Sequence, residues 1–202
     1  AIVFSLGAVY AKDLGLSVPQ ISTFMAAFIF GGVAFQIPIG WFSDRYDRRL
    51  VIIIISLCAA ITAIGCMISH QVPYLFYILF FLVGAFSLSI YGQCLAHTND
   101  HISPRQYVAA GSSLILINGV GAAFGPFMIS IFMQVMGTQA FFPTLSIIFL
   151  AIFAYGLHRT QMRAPVPLDE QGESYLMPAR SSPIVMNICL LYTSPSPRDA
   201  IP

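Results

Sequence analysis

The stretch IGWFSDRYDRRLV, residues 39–51, sets Asp44, Arg45, Asp47, Arg48 and Arg49 within six positions of a chain in which only 8% of residues are charged. Other groups capable of acid–base, nucleophilic or metal chemistry are scattered. The carboxylates Asp13, Asp44, Asp47, Asp100, Asp169, Glu170, Glu173 and Asp199 fall outside the long apolar runs or at their borders. No buried carboxylate is therefore expected to relay protons. His70, His97, His101 and His158 read as solvated or packed side chains, with His97 the alternative titrating group near the inner end of a span. Cys58, Cys66 and Cys94 lie inside apolar runs without C-x-x-C or Cys/His pairing, so neither a disulfide framework nor a zinc site is indicated. No His/Asp/Glu cluster converges within the spans, and the sequence reads as a non-enzyme with no cofactor and no metal. What calls for explanation is the charge cluster and where it sits.

Hydrophobic residues make up 57% of the chain, against a charged share of about 25% in ordinary soluble domains. The composition is that of a membrane-embedded protein. A formal net charge of +1 supplies no basic field for phosphate backbones, which excludes a nucleic-acid partner. A helix rising 1.5 Å per residue needs about 20 apolar residues to cross a hydrocarbon core of about 30 Å. Five runs meet that length: 19–42, 50–69, 73–98, 104–135 and 140–158. A shorter apolar segment, 1–11, precedes them and reads as a span cut short, lacking both an initiating Met and the basic start of a signal peptide. The Ile-rich run VIIIIS would suit a buried strand, but the uncharged stretch continues to Ser69, and length favours a helix.

SVPQ (Ser17–Gln20) and SPRQ (Ser103–Gln106) each place Ser at a helix N-cap, Gln three positions on and Pro between, the pattern of a capping box. Each opens the second helix of a triplet, giving a three-plus-three internal repeat. The same two helices carry the Gly/Pro interruptions FGGVAFQIPIG and NGVGAAFGPFM. Matching interruptions mark transporter repeats, although membrane helices also use Gly and Pro freely. Arg45, Arg48, Arg49, Arg105, Arg159 and Arg163 fall on one side of this topology and Lys12 on the other. The positive-inside rule makes the arginine side cytoplasmic, with the turns at 11–17, 70–72 and 136–139 facing out.

GWFSDRYDRR resembles the signature loop of the major facilitator superfamily, matching it at Gly40, Asp44, Arg45, Arg48 and Arg49; Asp47 replaces the usual Gly and changes the expected local turn. GVGAAFGP, in the fifth span, is similar to the family's Gly/Pro-rich fifth-helix motif. The resemblance covers residues 1 to about 187. It implies an all-α membrane protein, a six-helix half with a 3+3 inverted repeat from a twelve-helix major facilitator fold, its first helix truncated. The tail PVPLDEQGESYLMPARSSP and the run CLAHTND resemble the C-terminal half of efflux-type members. The alternative is an N-terminal half followed by a long central loop.

In that family the signature loop acts as a gating latch: Asp44 meets a helix N-terminus in the other half, while the arginines bind nearby acids or lipid phosphates. The simpler alternative is that the arginines only anchor topology. The first and fourth helices of each half line the substrate cavity. On the fourth, Ser87, Tyr91, Cys94 and Thr98 form one stripe and Ser89, Gln93 and His97 another. Tyr91 and Gln93 are the candidate cavity residues. Asn118 either satisfies backbone groups freed around Pro126 or reaches substrate. Gly121 and Gly125 form a G-x-x-x-G suited to close helix packing, with Gly125 and Pro126 also candidates for a gating hinge.

Residues 161–188 read as a polar cytoplasmic tail. CLLYTSPSPRDA, within 189–202, resembles a translated sequencing adapter and is excluded from the functional reading. The expected function is secondary active transport of a small molecule across the cytoplasmic (inner) membrane by alternating access. The expected partners are a missing N-terminal half, the lipid bilayer, the substrate and, if transport is proton-driven, protons. The alternative is a non-transporting membrane scaffold or sensor built on the same helices.

Overall fold

The computed structural model describes residues 2–69, 72–102 and 106–162. The described residues form helices α1 (Ile2–Asp13), α2 (Val18–Arg45), α3 (Arg48–Ile68), α4 (Pro73–Asn99), α5 (Tyr107–Met136) and α6 (Phe141–Met162), with a 3-10 turn, Thr138–Ala140, ahead of α6. The last five are long and apolar enough to cross a membrane, α6 together with its leading turn. At 1.5 Å per residue α1 rises only about 18 Å, short of the hydrocarbon thickness. The SPRQ box and the residues beyond 162, including the tail and the adapter-like stretch, lie outside the described residues, as do Arg105, Arg163 and His70.

Helix α2 starts where the sequence signals a start. The Gln20 side-chain oxygen accepts from the Ser17 backbone N–H and hydroxyl, both at 2.9 Å, satisfying a donor that the helix itself cannot. The helix then runs unbroken through Pro38 to Arg45. The charged stretch is consequently less of a loop than its composition implies. Gly40, Asp44 and Arg45 close α2, Arg48 and Arg49 open α3, and only Tyr46 and Asp47 lie between.

α3 occupies the middle, packed on α4 and α6. Its Ala59, Ala60, Ala63 and Cys66 are fully buried, and these small side chains let neighbouring backbones approach. Its hydroxyls bond to their own helix, Ser56 to the Ile52 carbonyl at 2.7 Å and Thr62 to the Cys58 carbonyl at 2.8 Å, which removes the cost of burying them. The closest crossing is α2 on α4. A Cβ on Gly31 would collide with the Phe81 carbonyl, and one on Gly84 with the Phe28 carbonyl. Phe24 stacks on Phe80 at a centroid distance of 3.7 Å and on Phe76 at 5.5 Å beside this contact.

α2 packs chiefly on α4, α3 on both α6 and α4, and α1 touches α2 and α5. Tyr10 of α1 completes the core by stacking on Phe141 at 5.0 Å. Gly15 and Gly137 take positive φ in the turns at the Lys12 end. There the Thr138 hydroxyl donates to an Asp13 carboxylate oxygen at 3.0 Å.

Candidate functional site: the charged end of the bundle

The ends of α2, α4 and α6 and the start of α3 meet at the end opposite Lys12. Arg48 lies at their centre. Only 2% of its side chain is exposed; one guanidinium N–H donates to Asp44 at 3.1 Å, and its Nε lies 3.3 Å from an Asp100 carboxylate that is itself 3% exposed. A charge so deeply buried persists only when paired, and removing one partner strands the others.

All three charges sit at the helix end that disfavours their sign. Asp44 and Asp100 lie at the partially negative C-terminal ends of α2 and α4, and Arg48 at the partially positive N-terminal end of α3. Their attraction for one another, not the stability of each helix, holds them there. Asp47 is the counterexample. As the N-cap of α3 it accepts the Arg49 backbone N–H at 2.9 Å, an acid at the end that favours it. It does so at φ −56°, a value open to any residue, so the position where the signature has Gly needs none here.

The neighbouring residues diverge from this array. The Arg45 guanidinium lies 3.6 Å from the centre of the Trp41 ring, a cation–π contact on the exposed face. A Cβ on Gly40 would meet nothing within 4 Å. Arg49 points toward α4, with a guanidinium nitrogen 3.4 Å from His101 Nε2.

Other sequence candidates lie apart from the charged array. Gln93 is buried at 5% exposure, and its Oε1 has no hydrogen-bond partner among the described residues; Tyr91 is half-buried. On the same stripe as Gln93, Ser89 is buried and donates to the Ala85 carbonyl at 2.7 Å. Asn118 and Gly121 lie on an exposed stretch of α5, and Gly125 backs onto the Ile2 side chain. α5 continues through Pro126 as an unbroken helix. Among the described residues no three His, Cys, Asp or Glu side chains group as a metal site.

One expectation is corrected. The sequence puts the carboxylates outside the spans or at their borders and leads to the expectation of no buried carboxylate, yet the Asp100 side chain is buried. It ends α4 by sequence, but α3 begins beside it and lays Arg48 over it. The available signal was an acid at a helix C-terminus, where the dipole opposes it; pairing with an arginine 52 positions away is invisible to local spacing.

The sequence matches the family model described as Major Facilitator Superfamily over residues 1–195. The chain belongs to the major facilitator superfamily, a family of membrane transporters. Among its relatives, the uncharacterized MFS-type transporter YfkF of Bacillus subtilis (strain 168) is 30% identical over 148 residues, covering 71% of this chain and 38% of that protein. The uncharacterized MFS-type transporters YcaD of Escherichia fergusonii and Ent638_1421 of Enterobacter sp. (strain 638) are 28% and 27% identical, each alignment covering 65% of this chain and 34% of the relative. The chain thus spans little more than a third of the length of these relatives. The multi-pass helical bundle is consistent with one half of a major facilitator fold, and GWFSDRYDRR falls at the junction of its second and third helices.

Proposed function

We propose that this chain is a six-helix half of a secondary transporter that moves a small molecule by alternating access, and that Asp44, Arg48 and Asp100 form a latch at its cytoplasmic end. The observation that carries this reading is the burial of Arg48 between two acids, each charge on a helix end that disfavours it. Such an array is stable only while α2, α3 and α4 stay together, and water reaching it weakens every pair. It therefore suits a contact that forms in one state and parts in another.

The arginine-rich end is read as cytoplasmic in an inner membrane, since Arg45, Arg48, Arg49 and Arg159 share it and Lys12 lies opposite. The tail and the CLAHTND run favour the C-terminal half of an efflux-type member. Its partners are then a second six-helix half, the bilayer, a small-molecule substrate and, if coupling is proton-driven, protons. Tyr91 and Gln93 are the proposed cavity residues. An unmet acceptor such as Gln93 Oε1 costs about 1–3 kcal/mol when buried, a cost offset when a substrate or water donates to it. Gly125 and Pro126 are the proposed hinge, with Asn118 and Gly121 on the same helix face or next to it.

Ser43, fully buried beside the array, supplies a test that needs no substrate. In full chain lacking its native cysteines, a cysteine at position 43 is exposed to a membrane-impermeant maleimide in vesicles of each orientation. Asp100→Asn is expected to speed labelling roughly tenfold from the arginine side, the effect of about 1.4 kcal/mol lost from the closed state. An unchanged rate would remove the latch, and faster labelling from the opposite side would reverse the proposed topology.

A further inference from the structure

Consecutive residues at the start of α3 meet consecutive residues at the end of α4. Arg48 reaches Asp100, its Nε 3.3 Å from a carboxylate oxygen, and Arg49 reaches His101, a guanidinium nitrogen 3.4 Å from Nε2. The two ties differ in what they require. The first joins opposite charges, whereas the second can form with only one state of the imidazole.

The partners of the ring decide where its proton sits. Nδ1 of His101 lies 2.9 Å from the His97 carbonyl, which can only accept, so Nδ1 carries the proton. A guanidinium has donors and no acceptor, so Nε2 offers Arg49 a lone pair. In this contact His101 is neutral. A second proton would bind at Nε2, remove the acceptor and set two cations against each other. Imidazoles take up that proton between about pH 5 and 8, and His101 is exposed, so solvent protons reach it. The other groups around the ring come from four helices. On α4 the His97 ring lies edge-on with centroids 4.7 Å apart, and Asp100 is held by Arg48. α3 brings Arg48, Arg49 and Asp47, whose carboxylate accepts the Arg49 backbone N–H. α6 brings Arg159 to the same open cleft, and α2 brings Asp44, bonded to Arg48. Among them the Arg49 guanidinium stands where the incoming proton would bind.

We infer that the His101–Arg49 contact is a proton-sensitive clasp between α3 and α4, closed while His101 is neutral and released when acidification at the charged end of the bundle protonates it. Release removes one of the two ties and leaves Arg48 with its acids. The clasp requires neither that the latch open nor that the chain transport anything.

A double-mutant cycle read at two pH values tests it. Full chain as parent, Arg49→Met, His101→Ala and the double variant is unfolded reversibly in mixed detergent micelles at about pH 8 and about pH 5, the two ends of the imidazole range. At the higher pH the coupling between the two sites should favour the folded state by roughly two- to fivefold, the scale of exposed side-chain pairs. At the lower pH it should vanish or change sign. Any other bond that Arg49 makes cancels from the coupling, because it is present with and without His101. Repeated in an Asp44→Asn background, which weakens the latch, the cycle should keep its pH dependence. A second readout does not depend on variants that fold: nitrogen-15 NMR of histidine-labelled parent, with His101 assigned by its missing signals in His101→Gln. At the higher pH it should show a protonated Nδ1 and a bare Nε2. The same coupling at both pH values, no coupling at the higher one, or a proton on Nε2 there would overturn the inference, as would loss of the pH dependence in the Asp44→Asn background.

Discussion

The α2–α4 contact is made of one material in its middle and outer part and another at its charged end. Around Gly31 and Gly84 the two backbones nearly touch, and Phe24, Phe76 and Phe80 stack alongside them. This part is dry, apolar and insensitive to water. At the charged end the same helices are held through Arg48 of α3, which reaches Asp44 on α2 and Asp100 on α4. Ion pairs of this kind lose strength when water enters, and the helix dipoles act against each charge. On the proposed reading, the glycine and aromatic contact is the fixed element and the charged end the one that opens.

Substitutions can break each side of that comparison separately. The largest effect is expected from Gly84→Leu, because its Cβ would overlap the Phe28 carbonyl, a backbone atom that cannot rotate away. Full chain carrying it should fail to yield a monodisperse peak in size-exclusion chromatography; a normal peak would show that the crossing is looser than described. Arg48→Met comes next. It removes the guanidinium that Asp44 and Asp100 share, and should destabilise the chain by about 3–5 kcal/mol in thermal or denaturant unfolding. Adding Asp44→Asn and Asp100→Asn should recover much of that loss, because the two carboxylate charges that Arg48 balanced are then removed.

Asp47→Ala should cost about 1 kcal/mol by removing the α3 cap, with no change in maleimide access to position 43. An equal opening in Asp47→Ala and Asp100→Asn would blur the distinction between the cap and the latch. The smallest effect in size has the opposite sign. Gln93→Leu replaces a buried acceptor without a described partner and should raise stability by about 1 kcal/mol, while lowering transport if Gln93 serves the cavity. A loss of stability would mean that Gln93 is bonded to its surroundings.

The sequence carried the helical, membrane-spanning character of the chain, since about twenty consecutive uncharged residues leave few alternatives. It also located the Arg-rich junction and the Ser17/Gln20 start of α2, both signals being local. What escaped it depends on residues distant in the chain. Gly121 and Gly125 attract attention because they are four apart, yet Gly121 meets nothing within 4 Å, whereas Gly31 and Gly84 make the tightest crossing across 53 positions. Asp100 is likewise ordinary in sequence. Only the arrival of α3 beside the end of α4 turns it into a buried partner of Arg48. Asp47 shows the converse: its departure from the signature matters less than spacing implies, because the turn needs no positive φ.

The central claim is that Arg48 and Asp100 hold one closed arrangement together. The most direct measurement is the labelling rate of a cysteine at position 43 in the parent, Arg48→Gln, Asp100→Asn and the double variant. The account predicts that both single substitutions speed labelling and that the double is no faster than the faster single, because both remove the same interaction. Independent, multiplying effects, or a parent rate in all four, would contradict it.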